Sequence, residues 1–241
     1  MVVDHAKKAP IDMPKHIAIV MDGNRRWAKK NGKHSITGHR QGAEALRRIT
    51  TAVSELGIPF LTVYAFSTEN WNRSYAEVKA LTMLLKRYLE REVAGFIEKK
   101  VKLNVIGDIS KYPPKIQELL CDVQARTSKD YEVTLTLALN YGGRNEICRA
   151  TNKILENCIS GTLKPGEVDE DRFNSYLDGS DLPDLDLFIR TGGERRLSNF
   201  MLWQISYAEI YFTDIMWPEF NKEHLIEAIK EYQARERRHG R

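Results

Sequence analysis

Cysteine is scarce. Cys121, Cys148 and Cys158 are three in 241 residues, an odd number, widely spaced, with no CxxC pair and no nearby histidine pair. That excludes a disulfide framework and a structural zinc site, and it predicts reduced, mostly buried thiols. Long hydrophobic runs are missing too: none approaches the roughly 18 residues of a membrane span. Residues 1–14 carry charges where a secretion signal needs an unbroken apolar stretch, so a soluble cytoplasmic chain is expected. Excess charge of one sign is also lacking. The 37 Lys and Arg stand against 33 Asp and Glu, and a net charge of +4 with a pI near 8.8 is too mild to indicate nucleic acid. Repeats, low-complexity tracts and flexible linkers are absent, so a single domain over residues 1–241 is expected, fraying at 1–14 and at the last few residues. No P-loop, GxGxxG, HExxH, GxSxG or DDxxD motif occurs, which removes the commonest nucleotide, zinc, serine-nucleophile and helical-bundle diphosphate chemistries.

What is present is an alternation of short β-type runs with longer helical ones. The runs predict strands at His16–Met21, Phe60–Phe66, Val101–Ile106, Val133–Leu139, Leu185–Ile189 and Glu209–Phe212. Between them the 3.6-residue pattern predicts helices over Gly38–Leu56, Ser74–Lys99, Pro113–Arg126, Arg144–Ile159, Asp169–Leu177 and Asn221–Arg238. Gly57 suits the end of the first, the box Ser74-Tyr75-Ala76-Glu77 opens the second, and Pro113-Pro114 opens the third. The expectation is an α/β fold with a mostly parallel sheet.

Open parallel sheets bind ligands at the carboxyl ends of their strands. Four polar clusters fall there: Asp22-Gly23-Asn24-Arg25-Arg26-Trp27, Ser67-Thr68-Glu69-Asn70-Trp71-Asn72-Arg73, Asn140-Tyr141-Gly142-Gly143-Arg144, and Arg190 to Asn199. In the last, Gly192 and Gly193 would let backbone amides approach an anion, while Arg190, Arg195, Arg196 and Ser198 supply donors that suit a diphosphate. The competing reading is a surface turn neutralised by Glu194. The Asp22 cluster reads as a second anion site with a metal ligand, and magnesium fits one or two carboxylates completed by substrate phosphate. Glu209 is the other candidate ligand; a plain Asp22–Arg26 ion pair is the alternative. His39 fits either a phosphate donor or an ordinary first-turn residue. Two anion sites walled by long apolar helices point to magnesium-assisted transfer between anionic amphiphiles.

The segments HIAIVMDGNRRWA with Gly38-His39, YAFSTENWNR, NVIGD, LNYGGR and IRTGGERRLSNFMLWQISYAEIYFTDIMWPEF resemble, in order, those of the cis-prenyltransferase family of undecaprenyl diphosphate synthase type. The resemblance spans about His16 to Gly240. It implies a six-stranded parallel sheet ringed by helices, an apolar tunnel and a homodimer. It also implies that magnesium supports successive additions of isopentenyl diphosphate to an allylic diphosphate such as farnesyl diphosphate, each adding a cis double bond. The product would be a long-chain polyprenyl diphosphate such as undecaprenyl diphosphate, the lipid carrier for cell-wall glycan synthesis, made by a cytoplasmic enzyme in peripheral contact with the membrane leaflet.

Residue by residue, the resemblance makes Asp22 the central catalytic group and a metal ligand, with Glu209 also at the metal. Gly23, Asn24, Arg26, Trp27 and His39, beside Arg25, would hold the allylic head. Arg190, Arg196 and Ser198, with Leu197 between them, would hold isopentenyl diphosphate. Ser67, Thr68, Glu69, Trp71 and Arg73 would form a mobile loop closing over both. Asn70 matches the family's assigned proton acceptor, but a neutral amide is a very poor base; departing diphosphate is the better acceptor, with Asn70 orienting it. Val133 would lie at the tunnel floor, and Arg238-His239-Gly240 would reach across a dimer. Where the family usually has an arginine, this chain has Ser35, which Lys33 or His34 would compensate. The alternatives are a non-catalytic partner subunit and a short-chain synthase. The retained Asp22, Asn70 and Arg190 disfavour the first, and basic residues spread among acidic ones disfavour nucleic-acid binding.

Overall fold

The structure is a computed structural model that describes residues 13–235. Six strands, all paired in parallel, form one sheet in the order β3-β4-β2-β1-β5-β6: β1 His16–Val20, β2 Phe60–Ser67, β3 Val101–Ile106, β4 Val133–Tyr141, β5 Leu187–Arg190 and β6 Glu209–Phe212. The six-stranded parallel α/β architecture is as expected, with β5 starting two residues late and β4 running two residues longer. From β1 the chain runs to β2 on one side and returns at β5 on the other. The carboxyl ends of β1 and β5 therefore flank the switch point where such sheets open a crevice.

Strand alternation decides the two faces. On β1, Ile17 and Ile19 join the larger core while Ala18 and Val20 join the smaller; on β5, Leu187 and Ile189 oppose Phe188 in the same way. The larger core packs against helices α2 Ser35–Glu55, α3 Tyr75–Glu98, α4 Pro114–Arg126 and α7 Lys222–Ala234. The smaller core receives Phe200, Met201 and Ile205 from the segment after β5. Asn140, at φ +46°, breaks the alternation at the end of β4, so Tyr141 turns to the smaller core, away from Leu137 and Leu139.

The remaining helices are α1 Asn24–Lys30, α5 Gly143–Ile159 and α6 Glu170–Asn174. Helix α1 is not among the expected helices, because seven residues rich in basic side chains show no apolar stripe. Helix α2 starts three residues earlier than expected, and α6 is shorter. Ser74 caps α3 by accepting from the Glu77 amide, and Pro113-Pro114 opens α4. Cys121 and Cys148 are exposed and Cys158 is half-buried, a correction to the expectation of buried thiols: all three sit on outward stretches of α4 and α5. Arg238-His239-Gly240, the end of the last expected helix and most of the 1–14 segment lie outside the described residues.

Helices α1 and α2 touch through glycine. A Cβ on Gly38 would lie 2.0 Å from the Asn24 carbonyl oxygen, whereas one on Gly95, in α3, meets nothing within 4 Å. Gly38→Ala is expected to cost about 1–3 kcal/mol by overpacking, lowering the melting temperature by several degrees. Gly95→Ala is expected to raise stability by up to about 1 kcal/mol through helix propensity. Calorimetry of the two variants checks both signs.

Candidate active site

The last ladder level of β1, β5 and β6 aligns Val20, Arg190 and Phe212. Arg190 is only 4% exposed, so its guanidinium needs partners inside the protein. Its Nη2 donates to Asp22 Oδ2 at 3.0 Å, and its Nη1 donates to Ser198 Oγ at 2.6 Å and to the Arg196 carbonyl. Asp22 Oδ1 accepts from the Gly23 amide at 2.6 Å and faces Arg26 Nη2 at 3.2 Å. Burial pushes the Asp22 carboxyl up, but the Arg190 hydrogen bond, the Gly23 amide and the two guanidinium charges outweigh it and hold the group below the usual range. The carboxylate is therefore ionised. Buried Thr191 fixes the backbone beside it: its hydroxyl accepts from the Asp22 amide at 3.0 Å and donates to the Asp22 carbonyl at 2.8 Å.

The glycine pair does something other than expected. Gly192 and Gly193, at φ +84° and +82°, donate their amides to the carbonyls of Ile215 and Thr213 at 2.7 and 2.9 Å. Those amides are spent on the chain after β6 and do not form an anion nest. What the glycines provide is room, because a Cβ on Gly192 would come within 2.9 Å of the Arg26 guanidinium and 3.0 Å of the Asp22 carbonyl. Glu194 does neutralise part of the turn, at 2.6 Å from Arg196 and 3.8 Å from Arg26.

Three cavities meet here. One of about 360 Å³ is bordered by Asp22, Gly23, Asn24, Arg25, Arg26, His39, Arg73, Glu194 and Arg196. A second, about 590 Å³, is bordered by Asp22, Tyr64, Ser67, Glu69, Asn70, Arg73, Arg190, Arg196, Ser198 and Asn199. Together they collect five arginines against three carboxylates, a field suited to an anion. The third, about 190 Å³, lies between α2, α3 and the sheet; Leu46, Leu81, Leu84, Leu85, Leu137 and Leu139 give it apolar walls, and Asn24, His39, Asn70 and Arg73 stand at its polar end. Met21 and Arg73 border all three.

The turn after β2 is a 3-10 segment, Thr68–Asn72, closed on itself. Ser67 and Asn70 cap it reciprocally, the Asn70 Oδ1 accepting from the Ser67 amide at 3.2 Å. Glu69 Oε1 accepts from Asn199 Nδ2 at 2.9 Å, and Arg73 pairs with Glu77 at 3.0 Å. Thr68 lies against Gly142. Trp71 is a packing residue here: its Nε1 donates to Asn140 Oδ1 at 2.7 Å and its ring meets Phe66 and Tyr112 edge-on at 5.1 and 5.4 Å.

Other expected residues lie apart from the cavities. Trp27 carries the Lys33 ammonium over its ring at 5.1 Å, and Leu197 packs on the smaller core. Glu209 is a correction to the joint metal site within one chain. It opens β6 level with Leu187, at the opposite edge of the sheet from Asp22, and Arg235 holds it at 2.7 Å. Val133 sits at the amino end of β4 beside Val101 and does not border the apolar cavity, whose β4 wall is Leu137 and Leu139. The sequence reading placed Thr191 and Asn199 in the cluster after the fifth strand and Tyr64 in the second strand, but gave none of the three a role. Thr191 and Asn199 had a signal, their places beside Arg190 and Ser198.

Fold and site together define an α/β protein with arginine-lined cavities at the carboxyl edge of a parallel sheet, beside an apolar cavity. Residues 20–240 match the prenyltransferase family model described as "Putative undecaprenyl diphosphate synthase". An isoprenyl transferase of Geobacter sulfurreducens is 47% identical over 232 residues, 96% of this chain and 94% of that protein. A ditrans,polycis-undecaprenyl-diphosphate synthase ((2E,6E)-farnesyl-diphosphate specific) of Pectobacterium atrosepticum is 45% identical over 231 residues, 96% of this chain and 91% of that one. The crystal structure of lavandulyl diphosphate synthase from Lavandula x intermedia, in complex with dimethylallyl diphosphate, matches with a TM-score of 0.92 at 35% identity, covering 95% of this chain and 99% of that one. The chain belongs to the undecaprenyl diphosphate synthase family of isoprenyl transferases.

Burial, reinforced by Arg73 and Arg25 against the opposing Glu77, pushes His39 down from 6.5 to about 4. Between those values the unfolded chain holds a proton that the folded chain refuses, so stability rises with pH through this window and is lost as pH falls towards 4. Burial lowers His16 too and adds slope of the same sign. His39→Asn is expected to flatten the fall in melting temperature from pH 6.5 to 4; a slope equal to that of the parent chain would contradict a buried neutral imidazole.

Proposed function

We propose that the chain condenses isopentenyl diphosphate onto an allylic diphosphate, farnesyl diphosphate being the primer named for one relative, to make a long-chain cis-polyprenyl diphosphate. The observation that carries this reading is that Asp22, paired with Arg190, borders both arginine-lined polar cavities, and that these meet an apolar cavity at Met21 and Arg73. Such a junction suits two charged heads and one greasy tail. We assign the allylic head to the cavity of Arg25, Arg26 and His39, which shares Asn24 and His39 with the apolar one, a route by which its tail continues inward. Isopentenyl diphosphate belongs in the cavity of Arg190, Arg196 and Ser198. Arg196 borders both.

In the reaction the allylic carbon loses diphosphate and bonds to the terminal alkene carbon of isopentenyl diphosphate; one proton then leaves and a new double bond forms. Arg25, Arg26 and Arg196 stabilise charge growing on the leaving oxygens, where such donors lower the barrier most. A neutral amide is too weak a base to take the proton, so Asn70 orients diphosphate and the departing diphosphate accepts the proton. Among the described residues no cluster of three metal-ligating side chains exists. A single hard carboxylate, 30% exposed, nevertheless fits magnesium completed by substrate oxygens and water, so Asp22 would hold it. When bound, that ion would neutralise the leaving diphosphate.

Among the described residues no helix is long and apolar enough to cross a membrane. Peripheral contact, a homodimer and a lipid-carrier role for the product complete the reading. A cavity of about 190 Å³ is smaller than the roughly 300–1,000 Å³ of ordinary ligand pockets. The half-buried amino-terminal part of α3 must therefore move outward as a long product grows.

Purified protein given Mg²⁺, labelled isopentenyl diphosphate and geranyl or farnesyl diphosphate is expected to yield a ladder ending in one dominant length. Asp22→Ala should lower turnover by about 10²–10³. No incorporation with either primer would overturn the proposal. In the same assay Leu137→Trp, on the cavity wall, is expected to shorten the product.

A further inference from the structure

Asn199 is the point at which three strand-end loops are tied together. Its carbonyl accepts from the Gly143 amide at 2.7 Å and its Oδ1 from the Arg144 amide at 2.8 Å, which fastens it to the first turn of α5. Its Nδ2 donates to Glu69 Oε1 at 2.9 Å, across 130 positions of sequence, which fastens it to the 3-10 turn after β2. Gly142 is wedged between the two: a Cβ there would lie 2.7 Å from Asn199 Nδ2 and 2.7 Å from Thr68 Oγ1. The backbone is committed as well. Ser198, Asn199 and Met201 all have positive φ, at +54°, +63° and +47°, a run that side chains disfavour and that external bonds must hold. The neighbour so held is Ser198, whose hydroxyl accepts from buried Arg190.

We propose that Asn199 is a positioning residue for isopentenyl diphosphate, coupling the Glu69–Asn70 turn to the Ser198–Arg190 end of the site. The inference rests on the proposed function for what it positions, but the tether itself rests only on these contacts. Both amide groups of the side chain are used, the oxygen on α5 and the nitrogen on Glu69, so neither aspartate nor glycine reproduces it. Glycine keeps the left-handed backbone without strain and loses both bonds. Aspartate keeps the acceptor for Arg144 and sets a carboxylate against Glu69.

The test uses the full chain with Mg²⁺ and four proteins: parent, Asn199→Gly, Asn199→Asp, and Asn199→Asp combined with Glu69→Gln. In the double variant the amide introduced at position 69 donates to the carboxylate introduced at position 199, so the bond returns with its polarity reversed. Asn199→Gly should raise KM for isopentenyl diphosphate on the order of tenfold, the size expected for one hydrogen bond to a charged group, with KM for the allylic primer within about twofold. Asn199→Asp should be worse, and the double variant should recover much of that loss. Amide hydrogen exchange across residues 67–73 should quicken in both single variants and slow again in the double one. Equal losses for both substrates, no change in KM for isopentenyl diphosphate, or a double variant no better than Asn199→Asp would overturn the proposal. If the parent chain incorporates no isopentenyl diphosphate, the functional reading fails on its own. The exchange measurement then still decides the tether, and unchanged exchange in Asn199→Gly would refute it.

Discussion

A guanidinium buried in the end of a β-strand is the constraint around which this site is arranged. Arg190 occupies a ladder position where an aliphatic residue would normally sit, and its charge is tolerable only because Asp22, Ser198 and the Arg196 carbonyl converge on it. Those partners come from the loops after β1 and β5, the two strands at the topological switch. The pair therefore locks together the halves of the crevice and fixes the ionised state of Asp22 at the same time. Thr191 and the glycine turn serve that arrangement: one clamps the Asp22 backbone, the other clears space for Arg26.

The division of labour between the two sheet faces follows from strand alternation. The larger core carries α2 and α3, and the apolar cavity opens within it where α3 stands off the sheet. The smaller core carries the segment that follows Ser198, with Phe200 stacked on Tyr64 at 4.4 Å. Tyr64 then donates to the Tyr141 carbonyl at 3.0 Å. The Arg190–Ser198 side of the site thus rests on one packed layer and the walls of the apolar cavity on the other.

Much of this was legible in the sequence because it depends on local pattern. Short β-branched runs placed every strand, and the polar clusters after four of them all fall at the carboxyl edge of the sheet. What was illegible depended on long-range contact. Helix α1 has no apolar stripe, so only its packing against Gly38 and Gly42 of α2 reveals it as a helix. Gly192-Gly193 looks like an anion nest until the chain after β6 claims both amides from about 20 residues away. Glu209 reads as a partner for Asp22 until strand direction places it at the far edge. Residue type announces chemistry; which group is already engaged is a property of the assembled fold.

Two buried polar atoms at the mouth of the apolar cavity, Asn24 Oδ1 and His39 Nε2, make no hydrogen bond among the described residues. Leaving such atoms unpaired costs the folded state about 1–3 kcal/mol apiece. A ligand head that satisfies them relieves that cost in the native chain alone, since the unfolded chain has water at both. Occupancy and heat resistance then become one variable, each tenfold rise in saturating ligand adding about 1.4 kcal/mol of stability. A thermometer thus suffices to rank the compounds that enter this mouth, with no turnover required.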